Sequence, residues 1–306
     1  VSTRGMVATH APLASRAGVD VLRAGGNAVD AAVAVGFALA VVYPEAGNLG
    51  GGGFTLVRMA DGRTAAIDYR EVAPLAATRD MFVDDSGRLT RASVVGPLAS
   101  GVPGSVAGLV ATHERFGSLP LAQVMAPAIR LAEEGFAVDA ELAASLARYA
   151  GLIGRFAGGA VFLPGGTALA QGAALRQPAL ARTLHAIADS GAAAFYRGDL
   201  SRRVAQDLAD AGTIITAQDL ANYAVAWRDP IRGTYRGHTL LTIPPPSSGV
   251  TMVQTLNILE AFGPLPPFGS AQRAHLVASA FQRAFLDRNA LVADPAFADV
   301  PVRRLT

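Results

Sequence analysis

From Ala31 to Tyr43 the chain runs apolar, with Gly36 in its middle. A bilayer span takes about 20 such residues, so a run this short reads as a helix buried inside the protein. Asn27 stands just ahead of it and Asp30 three positions further on, close to a capping box. The helix is therefore expected over about Ala28–Val42, apolar on all sides and deeply buried. Before it, Pro12–Ala24 reads as another helix, with Pro12 near its start and Gly25-Gly26 past its end.

A glycine-rich stretch follows, Gly47-Asn48-Leu49-Gly50-Gly51-Gly52-Gly53. Phe54–Met59 and Thr64–Tyr69 then read as strands, joined through Ala60-Asp61-Gly62-Arg63 as a hairpin. Two helices, a glycine loop and a hairpin do not alternate as a parallel βαβ unit does. From Gly104 the pattern turns helical, with helices expected at about Ser105–Phe116, Ala126–Glu134, Asp139–Tyr149, Pro178–Ser190 and Leu200–Ala211. A short one begins at Thr216, where Asp219 completes a second capping-box pattern. Gly158-Gly159 and Gly165-Gly166 mark a loop over about Phe156–Ala170. Thr239–Ile243 is expected to be a strand returning to the sheet. It leads through Pro244-Pro245-Pro246-Ser247-Ser248-Gly249 into helices at about Val250–Phe262 and Ala271–Val292. The stretch 104–235 reads as a helix-rich lobe within one domain, 1–306.

Composition removes several function classes. Hydrophobic residues make up 51% of the 306 and charged ones 16%, which excludes a wholly disordered chain. All 26 basic residues are Arg, so a Schiff-base lysine and a Walker A loop are absent from this sequence. The arginines are scattered and net charge is +2, which leaves no basic stripe for nucleic acid. There is no Cys, hence no thiol nucleophile, disulfide or Cys-based metal site. The five histidines are dispersed and read as structural or surface residues; neither H-E-x-x-H nor G-x-S-x-G occurs. Gly50–Gly53 does not match the dinucleotide fingerprint and precedes a strand instead of a helix. Two readings of it stay open: a tight turn where chain segments approach too closely for side chains, or a loop lining an active site. The stretch Val1–Gly5 is not a signal peptide, so either none existed or it was removed.

Several stretches in order resemble the large subunit of the γ-glutamyltranspeptidases. They are Gly25–Ala34, Gly47–Phe54, Ile67–Pro74 with Ala77–Phe82, Ser100–Gly108, and Pro244–Gly249. Asp287-Arg288, Asp294-Pro295 and Asp299-Val300-Pro301 extend the likeness to nearly the whole chain. The resemblance implies an α+β fold, the αββα four-layer sandwich of N-terminal nucleophile hydrolases, of which this chain is the large-subunit part. It implies a precursor that cleaves itself, and a small subunit whose N-terminal Thr attacks a γ-glutamyl amide with its own α-amino group as base. Val1 has no hydroxyl and Thr306 no free amino group, so the catalytic nucleophile is expected on that partner chain.

By the same resemblance, Arg70 binds the α-carboxylate of the glutamyl group, for which a guanidinium fork is well shaped. Read without it, Arg70 is a surface residue paired with Glu71 or Asp68. Glu71 is a weaker candidate that would orient Arg70; if the strand continues, the two point to opposite faces. Ser247 and Ser248 are either pocket residues or, more simply, a rigid connection with Ser248 capping the next helix. No metal or cofactor is required. The expected activity is γ-glutamyl transfer and hydrolysis, with glutathione as the usual substrate class, water or an amino acid or peptide as acceptor, and a periplasmic or extracellular location, with a cytoplasmic one as the alternative. The alternatives are a glutaryl-cephalosporin acylase, an oxamate amidohydrolase, or a non-catalytic relative.

Overall fold

The computed structural model describes residues 5–306; Val1 lies outside them. The chain is mixed helix and sheet, as the α+β reading expects, and divides into two compact units. One comprises the residues up to Gly53 together with Tyr69–Val225, the other Phe54–Asp68 with Ala226–Thr306.

The first unit opens with helices α1 (Pro12–Arg23) and α2 (Ala28–Val42). The second unit's hairpin, β1 (Phe54–Arg58) and β2 (Thr64–Asp68), intervenes in sequence. The first unit resumes with α3 (Ser105–Phe116), α4 (Leu121–Glu134), β3 (Phe136–Ala137), α5 (Ala140–Ile153), α6 (Gly159–Phe162) and β4 (Ala174–Leu175). It ends with α7 (Pro178–Ser190), α8 (Ala192–Tyr196), α9 (Asp199–Asp210) and α10 (Ala217–Asn222). The second unit then adds β5 (Ala226–Arg228), β6 (Ile231–Tyr235), β7 (His238–Thr242), α11 (Gly249–Glu260), α12 (Ala271–Leu291) and α13 (Val302–Leu305).

The apolar helix α2 is the centre of the first unit: Val33, Ala34, Phe37, Ala38 and Val41 are almost wholly buried, packed by α1, α3 and α4. Its start carries the anticipated capping box. The Asn27 side chain accepts the Val29 and Asp30 N–H groups, and the Asp30 carboxylate accepts the Asn27 N–H. Asp30 does more than cap. It also accepts the Ser118 hydroxyl (2.5 Å) and the Ser118 and Leu119 N–H groups, while Asn27 Nδ2 donates to the Phe116 carbonyl. The start of α2 is thereby joined to the corner between α3 and α4. Burial by itself pushes the Asp30 carboxyl up, but these donors outweigh it and hold it below the ordinary carboxylate value.

Three local expectations are corrected. The helix expected from Ala126 begins at Leu121, so Pro127 sits inside α4 and not at its first turn. The loop expected over Phe156–Ala170 contains the short helix α6 and a 3₁₀ turn at Pro164–Gly166. The strand near Thr239–Ile243 does not return to the hairpin's sheet. Among the described residues β7 pairs with β6 alone, and it is β5 that adds to β2 to give the order β1-β2-β5. Pro230 has no N–H to continue the ladder beyond β5. After it, Arg236 and Gly237, both with positive φ (49° and 78°), turn β6 tightly onto β7.

Candidate functional site

Arg70 lies two residues past the end of β2, in the first unit. Its backbone is bracketed on both sides. Gly53 and Tyr69 exchange both hydrogen bonds (3.2 and 2.9 Å), and Val72 and Val102 do the same (3.2 and 2.8 Å). Between the brackets the chain is not a strand, so the alternation that would have turned Arg70 and Glu71 to opposite faces does not apply. Their side chains meet instead, Arg70 Nε lying 3.3 Å from Glu71 Oε2. The Arg70 side chain remains 60% exposed. Asp68, the other partner considered, belongs to the second unit. There its buried carboxylate accepts Nε and Nη2 of Arg228 (3.1 and 2.9 Å).

The glycines explain how the segment is held. A Cβ on Gly52 would fall 2.5 Å from the Tyr69 carbonyl oxygen and 2.7 Å from the Glu71 nitrogen. The loop therefore runs directly against the backbone of Arg70, which is the close approach the sequence left open. One on Gly101 would lie 2.9 Å from the Glu71 Cβ, and Gly108 of α3 faces the Tyr69 ring. Gly104 is pressed against the Tyr69 carbonyl and the Tyr223 hydroxyl. The Gly51 carbonyl accepts the Gly104 and Ser105 N–H groups (2.7 and 2.9 Å), docking the start of α3 on the loop. Gly50, by contrast, has open space where a Cβ would stand.

Residues that the sequence did not single out complete the arrangement. The Tyr223 hydroxyl donates to the Arg70 carbonyl (2.9 Å), and its ring stacks on Tyr196 (centroids 5.4 Å apart, planes 16° apart). The Tyr196 hydroxyl donates to the Pro103 carbonyl (2.9 Å), and burial pushes this phenol's pKa up, so it stays a neutral donor. Asp219, noted only as half of a capping box, also accepts the Leu75 N–H (2.7 Å). Burial pushes its carboxyl up, but the Thr216 hydroxyl with the Leu75 and Thr216 N–H groups outweighs burial and holds it low. No local pattern in the sequence connects residues 196, 219 and 223 with Arg70.

Within the second unit, Ser248 occupies the N-cap position of α11, but its side chain caps nothing. It accepts a hydrogen bond from Arg288 Nε (2.8 Å). Among the described residues no three His, Asp or Glu side chains are grouped to hold a metal ion. What the first unit offers chemically is an exposed planar cation on a backbone fixed at several points, suited to bidentate recognition of a carboxylate.

Residues 14–306 match the family model described as gamma-glutamyltranspeptidase. The chain is 46% identical over 308 residues to the glutathione hydrolase proenzyme of Escherichia coli (strain K12), covering 99% of this chain and 53% of that one. It is also 46% identical over 314 residues to the acylase ACY 1 proenzyme of Pseudomonas sp. (strain SE83), covering 99% of this chain and 56% of that one. The chain thus spans about half the length of the curated relatives it matches. Among solved structures, the gamma-glutamyltranspeptidase of Helicobacter pylori superposes with a TM-score of 0.96 at 40% identity, covering 100% of this chain and 89% of that one.

Proposed function

We infer the function from one premise: the chain belongs to the γ-glutamyltranspeptidase family. We propose that it is the large-subunit part of a self-processed enzyme that cleaves γ-glutamyl amides such as glutathione. The Arg70 guanidinium pairs with the donor's α-carboxylate, and Glu71 orients that guanidinium. A small subunit from the same precursor supplies an N-terminal Thr. Its hydroxyl attacks the γ-carbonyl carbon, its proton passes through the α-amino group to the departing amine, and a γ-glutamyl ester remains. Water or an amino acid or peptide then resolves the ester, releasing glutamate or a new γ-glutamyl amide. The reading needs no metal or cofactor, and it places the enzyme in the periplasm or outside the cell. Among the described residues no helix is long and apolar enough to cross a membrane.

The observation that carries this reading is Arg70 itself, an exposed guanidinium on a backbone locked by the glycine loop. One specific observation favours a second reading. The acylase relative is as similar to the chain as the glutathione hydrolase relative, at 46% identity each, and an acylase for another carboxylate-bearing amide would need the same cation. Intact-mass spectrometry of the protein made from the full precursor, followed by assay with a γ-glutamyl anilide, separates the two. A Thr-initiated second chain with anilide release supports the transferase. A second chain without anilide release supports the acylase, and a single unprocessed chain without activity overturns both.

A further inference from the structure

The short helix α10 holds the Arg70 segment at two points five residues apart. The Tyr223 hydroxyl, immediately past its end, donates to the Arg70 carbonyl at 2.9 Å. The Asp219 carboxylate, within its first turn, accepts the Leu75 N–H at 2.7 Å. The stretch from Arg70 to Leu75 belongs to no helix or ladder strand, and Val72 makes a single isolated bridge to Val102. Its path is therefore set by these ties and by the glycines packed against it.

The tie at Tyr223 is itself supported from behind. Its ring lies flat against Tyr196, which is buried among α3 and α8 residues and fixed by donation to the Pro103 carbonyl and by acceptance of the Ala107 N–H (2.9 and 3.3 Å). The Tyr223 hydroxyl also lies where a side chain on Gly104 would have to be. A hydroxyl backed in this way can place one carbonyl with little freedom, and the adjoining Cα carries the side chain that meets the substrate.

We propose that Tyr223 is a positioning residue for Arg70, setting how well the guanidinium meets the donor's carboxylate without touching the donor. This rests on the function proposed above. Orientation of a bidentate contact is sensitive to small displacements, so loss of the tie should weaken recognition of the carboxylate more than it weakens the chemical step.

The test uses the enzyme processed from its full precursor and the variant Tyr223→Phe, which keeps the ring and its stacking. Two donors are compared: a γ-glutamyl anilide and the same anilide with its α-carboxylate replaced by a carboxamide. The expected result is normal self-processing, a KM for the carboxylate donor raised about five- to tenfold, and a preference for carboxylate over carboxamide lowered by the same factor. Addition of Arg70→Ala should then cost no more than Arg70→Ala alone, because both changes remove one interaction. Equal losses on both donors, or no change on either, would overturn the inference while leaving the proposed activity intact. Failure of the unmodified enzyme to turn over the carboxylate donor would overturn the activity, and this inference with it.

Discussion

A guanidinium recognises a carboxylate through its planar fork as well as its charge, and this governs what substitutions at Arg70 should do. Arg70→Lys keeps the charge and loses the fork, so kcat/KM for a γ-glutamyl anilide is expected to fall about 10- to 100-fold, or about 1.4–2.8 kcal/mol. Unchanged kcat/KM would remove Arg70 from the donor site. The neighbouring glycines allow a sharper comparison. Gly52→Ala forces a methyl group into backbone atoms of Tyr69 and Glu71 and should destabilise the protein by about 1–3 kcal/mol. Gly50→Ala meets open space and should stay within about 0.5 kcal/mol of the parent. Thermal unfolding of the two variants checks this; equal effects would mean the loop's close approach is not what Gly52 serves. Arg70 was recognisable as a residue because its motif is local. The ties that hold it were not, since Tyr223 lies 153 positions away and carries no pattern of its own.

Elements whose signals are local were legible to within a residue or two. Asn27 and Asp30 announced α2, and Thr216 with Asp219 announced α10, because a capping box is complete within four residues. The second duty of each aspartate was invisible: Asp30 binds Ser118, and Asp219 binds Leu75. Asp30→Ala should therefore cost more than an ordinary N-cap box loss, about 2–3 kcal/mol in place of about 1, because the Ser118 hydroxyl and the Ser118 and Leu119 N–H groups lose the buried carboxylate as acceptor as well. A loss near 1 kcal/mol in thermal unfolding would show that the joint to the α3–α4 corner contributes little. The β6–β7 hairpin was missed for a comparable reason. Its turn is Arg236-Gly237, and Arg seldom accepts positive φ, so the usual Asn-Gly or Asp-Gly signal was absent.

At the scale of the whole molecule, the depressed carboxyls make acid the condition to which this protein should be sensitive. Asp30 and Asp219 both lie below the ordinary value of 3.8 when folded. Unfolding therefore takes up protons near that value, and the stability they contribute is fully present above it. It is lost as pH falls from 3.8 through the depressed folded values. Thermal unfolding followed from pH 6 downward should show a midpoint that is flat until this window and then drops. Asp30→Ala should drop less steeply there, and an identical slope would mean Asp30 is not a source of the acid sensitivity. The buried helix, the capping boxes, the glycine loop, the exclusion of lysine and thiol chemistry, and the family motifs that single out Arg70 can all be read along the chain without its coordinates. Each of these is written within a few neighbouring residues, where helix periodicity, capping and side-chain type act directly. Long-range packing alone fixes that β5 and not β7 joins the hairpin, that Arg70 and Glu71 meet, and that Tyr223 and Asp219 close on the same segment. Those outcomes depend on which distant groups satisfy a buried carbonyl or N–H, and hydrogen-bond partners chosen by packing across the chain leave no periodic trace along it.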